Sequence, residues 1–308
     1  MIRIIYILIF ICSFFFTSCS NGESSGDASL NIKQVNNEMK RSIVDKKHEK
    51  QDDKLKYIND TTIIFKRNGE DVLVHFFNPK ERDGMNSGTI ILLPGWNYSS
   101  MDWCTKTTFC ENAKELGYNL ILVDMAKSVY SWKIHKETDK KYKKYATRQW
   151  FIDTLIPYFQ SNFKLLKKGG KNYILGLSTG GRGAALMCLD RPKIFKKGAA
   201  LSGDFNQASI PKDQLMNGFY GGYHSFKNRW IGNDNVVYNI NRFETPFYLG
   251  HGGKDKIVPK SQTQEFYDSL RSIKPNLNVI IHIDLKAKHD YKYWNSEVNN
   301  VLNFFKAL

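Results

Sequence analysis

Between Lys171 and Leu189 an apolar run, KNYILGL, meets Gly176-Leu177-Ser178-Thr179-Gly180 and passes directly into the small-residue stretch GGRGAALMCL. Glycines flanking Ser178 let a strand turn sharply into a helix, because a missing Cβ allows backbone to approach backbone. In that setting G-x-S-x-G is a nucleophile elbow, the turn that lifts a serine hydroxyl clear of the end of a sheet. The feature demands a strand covered on both faces and a helix packed closely behind it. A chain that meets both demands is expected to be α/β.

The rest of the chain keeps that rhythm. TTIIFKR and DVLVHFF, separated by Asn68-Gly69, read as an antiparallel hairpin. TIILL (Thr89 to Leu93) and NLILVDM (Asn119 to Met125) are continuous apolar runs, as expected of strands buried on both faces of a parallel sheet. Further strands are expected at Gly198 to Leu201, Pro246 to Leu249 and Asn278 to Leu285. Helices are expected over Met101–Leu116, Arg148–Phe163, Gly181–Leu189 and Ser261–Leu270, with a last one up to Phe305. Strands alternating with helices imply βαβ units and a mostly parallel central sheet with helices on both faces. With 308 residues, 42% of them hydrophobic, one catalytic domain over residues 58–308 is the expectation. Residues 205–243 interrupt the alternation with Gly and aromatic residues and read as an insertion before the acid-bearing strand, a lid or substrate-binding loop in which Tyr220, Tyr223 and Trp230 are the candidate substrate contacts.

A serine hydroxyl needs a base to take its proton, and an imidazole suits the task near neutral pH. Of the seven histidines, His289 follows the apolar run NVIIHIDL and precedes the last helix, which keeps the order Ser, Asp, His. His251 and His282 are rivals, one beside the acid loop and one within a strand. The orienting acid is expected to be Asp255, in HGGKDKIVP after the strand PFYLG, with Asp204 and Asp290 as alternatives. An oxyanion site needs two N–H donors: the backbone of Thr179 after the nucleophile, and that of Trp96 in LLPGWNYSS, with Asn97 in competition. No HExxH, paired CxxC or glycine-rich phosphate loop occurs, so no metal or cofactor is expected.

ALSG after the elbow helix, HGGKDKIVP and KHDYKYW resemble the esterase D branch of the α/β-hydrolases, which includes feruloyl and acetyl esterases. The resemblance runs from about Thr61 to Leu308 and implies the α/β-hydrolase fold and ester hydrolysis without a cofactor, on small-molecule or polysaccharide esters. Two departures stand out: Pro94-Gly95 replaces the His-Gly of many relatives, and the insertion precedes Asp255. A peptidase or acyltransferase could use the same triad, and a glycan-binding lipoprotein could retain the scaffold without catalysis.

The N-terminus, MIRIIYILIFICSFFFTSCS, places Arg3 before an apolar run that ends in small residues, the pattern of a signal peptide over residues 1–18. Its end resembles a bacterial lipobox, with Phe16 where Leu is usual, so Cys19 is the expected lipidation site. Residues 19–57 are polar and read as a flexible tether, which together imply an enzyme held at the cell envelope through its N-terminal lipid. The net charge is +15, but the lysines are spread along the chain and form no Arg-rich stripe, so nucleic acid is not an expected partner. A basic surface fits an ordinary solvated coat, or proximity to anionic lipid or acidic polysaccharide. Cys104 and Cys110 on one continuous helix would have Cα atoms about 9 Å apart, too far for a disulfide, so free buried thiols are expected.

Overall fold

A computed structural model of the protein describes residues 3–7, 61–79 and 87–307. Cys19 and the tether expected over 19–57 lie outside the described residues. The nine strands among the described residues are β1 (Arg3–Ile7), β2 (Thr61–Arg67), β3 (Glu70–Phe77), β4 (Gly88–Leu93), β5 (Tyr118–Val123), β6 (Asn172–Leu177), β7 (Lys197–Leu201), β8 (Phe247–Gly252) and β9 (Val279–Asp284). They form one sheet in the order β1-β2-β3-β5-β4-β6-β7-β8-β9. β3 pairs antiparallel with β2 and with β5, and every other pairing is parallel. β1 falls within the segment expected to be a signal peptide and occupies the sheet edge, so β2 to β9 form an eight-stranded sheet without it.

The pattern of burial explains the topology. Every residue of β4, β5, β6, β7 and β8 is buried, as their unbroken apolar sequences require when helices cover both faces. In β9 only Val279 is buried and the remaining positions are exposed or half-buried, which suits an edge strand. The β2–β3 hairpin turns on Asn68 and Gly69, both at positive φ (50° and 81°), the conformation that matches a two-residue turn to strand twist.

Among the described residues ten α-helices flank the sheet: α1 (Asp102–Thr105), α2 (Phe109–Glu115), α3 (Arg148–Trp150), α4 (Ile156–Asn162), α5 (Thr179–Asp190), α6 (Gln214–Tyr220), α7 (Tyr223–Trp230), α8 (Ser261–Ile273), α9 (Tyr291–Ser296) and α10 (Val298–Lys306). One apolar layer joins Ile91, Ile121 and Ile174 of the sheet to Phe159, Leu186 and Phe266 of α4, α5 and α8. The other joins Leu92, Leu120 and Leu175 to Trp103, Phe109 and Val301 of α1, α2 and α10. The fold is thus the mostly parallel, two-sided α/β arrangement expected from the sequence. Its strand order reverses direction at β4, opening a crevice beyond the carboxyl ends of the central strands, where ligands of such sheets bind.

Two local expectations are corrected. Met101–Leu116 is not one helix: it breaks at Lys106 to Thr108, where Thr107 Oγ1 accepts a hydrogen bond from Phe109 N (3.2 Å) and Asn295 Oδ1 accepts one from Thr108 N (2.8 Å). The break folds α2 back toward α1 and brings Cys104 and Cys110 to a Cα separation of 5.0 Å, where they form a disulfide. Residues 205–243, read as an irregular aromatic loop, contain α6, α7 and two 3₁₀ turns (Gln207–Ser209 and Val237–Arg242), and α6 and α7 pack with Val129 and Tyr142 into a small third apolar cluster.

Candidate active site

Ser178 sits between β6 and α5 at φ 54°, ψ −128°, a left-handed conformation that costs a non-glycine residue energy and is held here by its neighbours. Its N–H donates to Leu201 O on β7 (2.8 Å). The flanking glycines are steric necessities. A Cβ on Gly176 would lie 1.9 Å from Gly180 O, and a Cβ on Gly180 would lie 2.4 Å from Pro94 O. The elbow is therefore wedged against the loop that follows β4.

His289 and Asp255 arrive from the loops after β9 and β8. His289 Nε2 lies 3.1 Å from Ser178 Oγ, and His289 Nδ1 lies 2.6 Å from Asp255 Oδ2. With Nδ1–H donating to the carboxylate, Nε2 is left as the acceptor facing the serine hydroxyl. The two loops are laced together by Gly253 N to Asp284 O (2.6 Å) and Lys254 N to Ala287 O (2.8 Å). Gly252 permits that approach, since a Cβ there would come within 2.7 Å of Ala287 O. Trp294 packs edge-on to the His289 ring at 5.1 Å between centroids and is itself fixed by a hydrogen bond from Nε1 to Ser202 Oγ (3.1 Å).

Burial alone would raise the Asp255 pKa, but hydrogen bonds from His251 and His289 outweigh it and hold the carboxyl well below its usual range. Its Oδ1 also accepts from Ile257 N (2.8 Å) and Val258 N (2.9 Å). Asp255 is thus an anion with its lone pairs filled, suited to orienting an imidazole and stabilising its protonated form.

The rival residues have other partners. Asp290 accepts from Tyr293 N (2.9 Å) and caps α9. His282, on β9, has Nδ1 2.7 Å from Oε1 of Glu297, which lies between α9 and α10. His251 is fully buried, with Nδ1 2.7 Å from Thr263 Oγ1 and Nε2 3.0 Å from Val258 O. Its Nε2 also lies 3.3 Å from Asp255 Oδ2, a second imidazole on the same carboxylate that went unnoticed in the sequence. The four-residue separation across the Gly-rich turn was the available signal.

The candidate oxyanion donors are distinguishable. The Asn97 N–H is committed to Ala126 O (2.8 Å), whereas the Trp96 N–H has no acceptor among the described residues. Thr179 is the first residue of α5, where N–H groups lack intrahelical partners and the helix dipole favours negative charge. Tyr130 steadies the Trp96 loop: its hydroxyl donates to Pro94 O (3.1 Å), and its ring lies over Gly183 of α5, where a Cβ would approach it to 2.6 Å.

Ser178 and His289 open onto a cleft of about 550 Å³. Trp96, Thr179 and Asp204 line it, as do Ile210, Leu215 and Met216 from the segment between β7 and β8. Trp96 Nε1, Thr179 Oγ1 and Asp204 Oδ1 are buried and unpartnered among the described residues. Burial pushes the Asp204 carboxyl up to about 6, even with the Arg182 guanidinium nearby. The aromatic residues expected to touch substrate do not line this cleft. Tyr220 and Trp230 are fully buried, with the Tyr220 hydroxyl accepting from Arg182 Nη2 (2.8 Å) and Trp230 Nε1 donating to Gly221 O (2.9 Å). Tyr223 packs edge-on to Trp230 at 5.6 Å. Their rings pack with Val129 and Tyr142 into a small apolar cluster, because an aromatic side chain with its polar tip satisfied gains most from burial. Asp204 is legible in the sequence only as an alternative acid, and the aliphatic residues that face the cleft carry no periodicity or motif that singles them out.

Comparison with known proteins agrees with the geometry. Residues 66–305 match the family described as "Putative esterase". The chain is 25% identical over 243 residues to an acetyl esterase of Caldicellulosiruptor saccharolyticus, an alignment that covers 74% of this chain and 87% of that protein. Among solved structures it resembles an S-formylglutathione hydrolase from Staphylococcus aureus, with a TM-score of 0.64 at 18% identity over 80% of this chain and 98% of the other. A ferulic acid esterase aligns with a TM-score of 0.60 at 15% identity over 80% of this chain and 97% of the other. The family match runs from the end of β2 into α10 and takes in every loop that meets at the cleft, and on that basis this protein, whose fold is that of the α/β-hydrolases, belongs to the "Putative esterase" family.

Proposed function

We propose that this protein hydrolyses carboxylic esters through an acyl-enzyme on Ser178, and that its substrates include acyl groups carried on polysaccharides. The observation that carries the reading is the continuous relay from Ser178 Oγ to His289 (3.1 Å) and on to Asp255 (2.6 Å), ending beside two uncommitted N–H groups. Ser178 Oγ attacks the ester carbonyl carbon while His289 Nε2 takes its proton. Asp255 orients the ring and stabilises the imidazolium. The carbonyl oxygen, now carrying negative charge, accepts hydrogen bonds from the Thr179 and Trp96 N–H groups. On collapse the C–O bond to the alcohol breaks and the alcohol leaves with the proton from His289. Water repeats the sequence on the acyl-enzyme and releases the acid.

One observation supports a hydroxylated ester over a plain lipid ester: Trp96, Thr179 and Asp204, which line the cleft beside its aliphatic wall, each carry a polar atom with no partner among the described residues. A sugar hydroxyl can donate to Asp204 and accept from the Trp96 indole. The N-terminal sequence supports a cell-envelope location through lipidation of Cys19. The test is hydrolysis of short-chain p-nitrophenyl, acetyl-sugar and feruloyl-sugar esters by wild type and by Ser178→Ala. Turnover abolished in the variant, with fluorophosphonate labelling of Ser178, is the expected result. Failure of wild type on every ester, with no labelling, rejects the reading. Incorporation of an alkyne fatty acid in cells, lost in Cys19→Ala, checks the anchor.

A further inference from the structure

Trp96 lines two depressions. Beyond the catalytic cleft, its other side meets a groove of about 760 Å³ whose rim carries Lys127, Lys140, Lys141 and Lys144. We propose that this groove is a subsite for an acidic polysaccharide, holding carboxylate-bearing sugar residues while an ester on the same polymer enters the Ser178 cleft. The proposal rests on the esterase reading above and names the polymer class that the enzyme would serve.

Charge is the first argument. No carboxylate lines the groove. Lys141 and Lys144 have acidic neighbours outside it, Asp139 at 3.7 Å and Glu70 at 2.9 Å, while Lys127 and Lys140 have no carboxylate partner among the described residues. A concave surface lined by one sign of charge concentrates ligands of the other sign.

The second argument is the pairing of those cations with rings. Lys127 Nζ lies 5.6 Å from the centre of the Trp96 ring, Lys141 Nζ 4.8 Å from Tyr142 and Lys144 Nζ 5.5 Å from Tyr145, and all three rings line the groove. Tyr142 is buried between Lys141 and Phe219 and serves as a floor. The flexible side chains of Lys127 and Lys144, lying over Trp96 and Tyr145, can swing aside so that those rings take the C–H face of a pyranose and the ammonium groups take the carboxylate of a uronic acid.

The surface is also built to hold its shape. Arg67, beside the turn of the β2–β3 hairpin, donates from Nη1 to the carbonyls of Lys144 and Tyr145. Tyr142 stacks on Phe219 at 4.6 Å with the planes 9° apart. A single-stranded nucleic acid would also suit cations and rings, but it carries no carboxylic ester for the neighbouring serine. Continuity through Trp96 therefore favours an acylated acidic glycan.

The test uses the full chain and three substrates: O-acetylated polygalacturonate, O-acetylated xylan as a neutral polymer, and p-nitrophenyl acetate, too small to span both depressions. Lys127→Gln/Lys140→Gln is expected to raise KM for the acidic polymer roughly tenfold at low salt, with kcat unchanged and the other two substrates unaffected. Raising NaCl from 20 to 300 mM on wild type, a change chosen to shorten the screening length, should reproduce that loss. An unchanged KM for the acidic polymer in the variant, or an equal change for xylan, overturns the proposal. So does competition by a single-stranded oligonucleotide as tight as that by de-esterified polygalacturonate, which would mark a general polyanion surface. If wild type hydrolyses none of the three, the esterase reading has failed. Calorimetric titration with de-esterified polygalacturonate, weakened or not by the double substitution, then judges the groove alone.

Discussion

At Ser178 the backbone is held at φ 54° by contacts that tolerate only glycine on either side. Gly180→Ala would drive a methyl group into Pro94 O (2.4 Å) and Leu93 O (2.5 Å), so either the elbow or the Trp96 loop must move. Stability should fall by about 1–3 kcal/mol, as for other overpacked sites, and kcat/KM on p-nitrophenyl acetate should fall on the order of 100-fold as the oxyanion donors shift. Kinetics beside a urea melt checks both. Asp255 yields a prediction with a defined sign. Its native pKa is depressed below the ordinary 3.8, so its ionised form contributes stability above that value that is lost as pH falls toward the native pKa. Asp255→Asn should be less stable than wild type at pH near 7, with the gap closing as the pH drops below about 4. Urea midpoints measured from neutral to acid pH decide it, and a gap independent of pH counts against an ionised Asp255.

The α1–α2 segment shows where reading one element from its sequence fails. Apolar spacing over Met101–Leu116 is compatible with one helix, and on one helix Cys104 and Cys110 cannot meet. The hydroxyl of Thr107 and the side chain of Asn295, 187 residues away from the N–H of Thr108 that it accepts, satisfy backbone groups that a continuous helix would have used. The resulting turn makes the disulfide possible. Closing so short a loop restricts the unfolded chain modestly, so Cys104→Ser/Cys110→Ser should cost about 2 kcal/mol and leave hydrolysis of small esters intact. Thermal unfolding of the variant, and of wild type with and without dithiothreitol, measures the cost. Within the insertion the aromatic residues were legible as a group and their direction was not. Tyr220 and Trp230 face inward because Arg182 and Gly221 O satisfy their polar atoms, which leaves the cleft to Ile210, Leu215 and Met216.

Across the whole molecule, buried arginines join the insertion to the sheet and its helices. Arg148, fully buried, pairs with Asp190 at the end of α5 (2.6 Å) and with Asp234 beyond α7 (3.0 Å). Arg182 of α5 reaches Asp204, the Tyr220 hydroxyl and Asp234 O. Arg148→Met would leave the largely buried Asp234 carboxylate without its ion-pair partner and Asp190 with only the longer pairing to Arg242 (3.8 Å), at a cost of about 3–5 kcal/mol. Urea unfolding should register that loss, and hydrogen exchange should rise over residues 214–230, whose packing depends on the Asp234 anchor. Loss of stability without faster exchange there would mean that the arginine ties α5 alone. The sequence by itself determined the α/β class, the mostly parallel sheet implied by alternating elements, and the positions of Ser178, Asp255 and His289 in the loops after strands. Those features follow from periodicity, glycine placement and chain order, which are local properties. Tertiary structure alone decided that Cys104 meets Cys110, that Trp96 and not Asn97 has an uncommitted N–H, that His251 shares the Asp255 carboxylate, and that the insertion's rings turn away from the cleft. Each of these depends on a partner brought near by folding, and hydrogen-bond satisfaction between residues distant in the chain leaves no periodic trace in it.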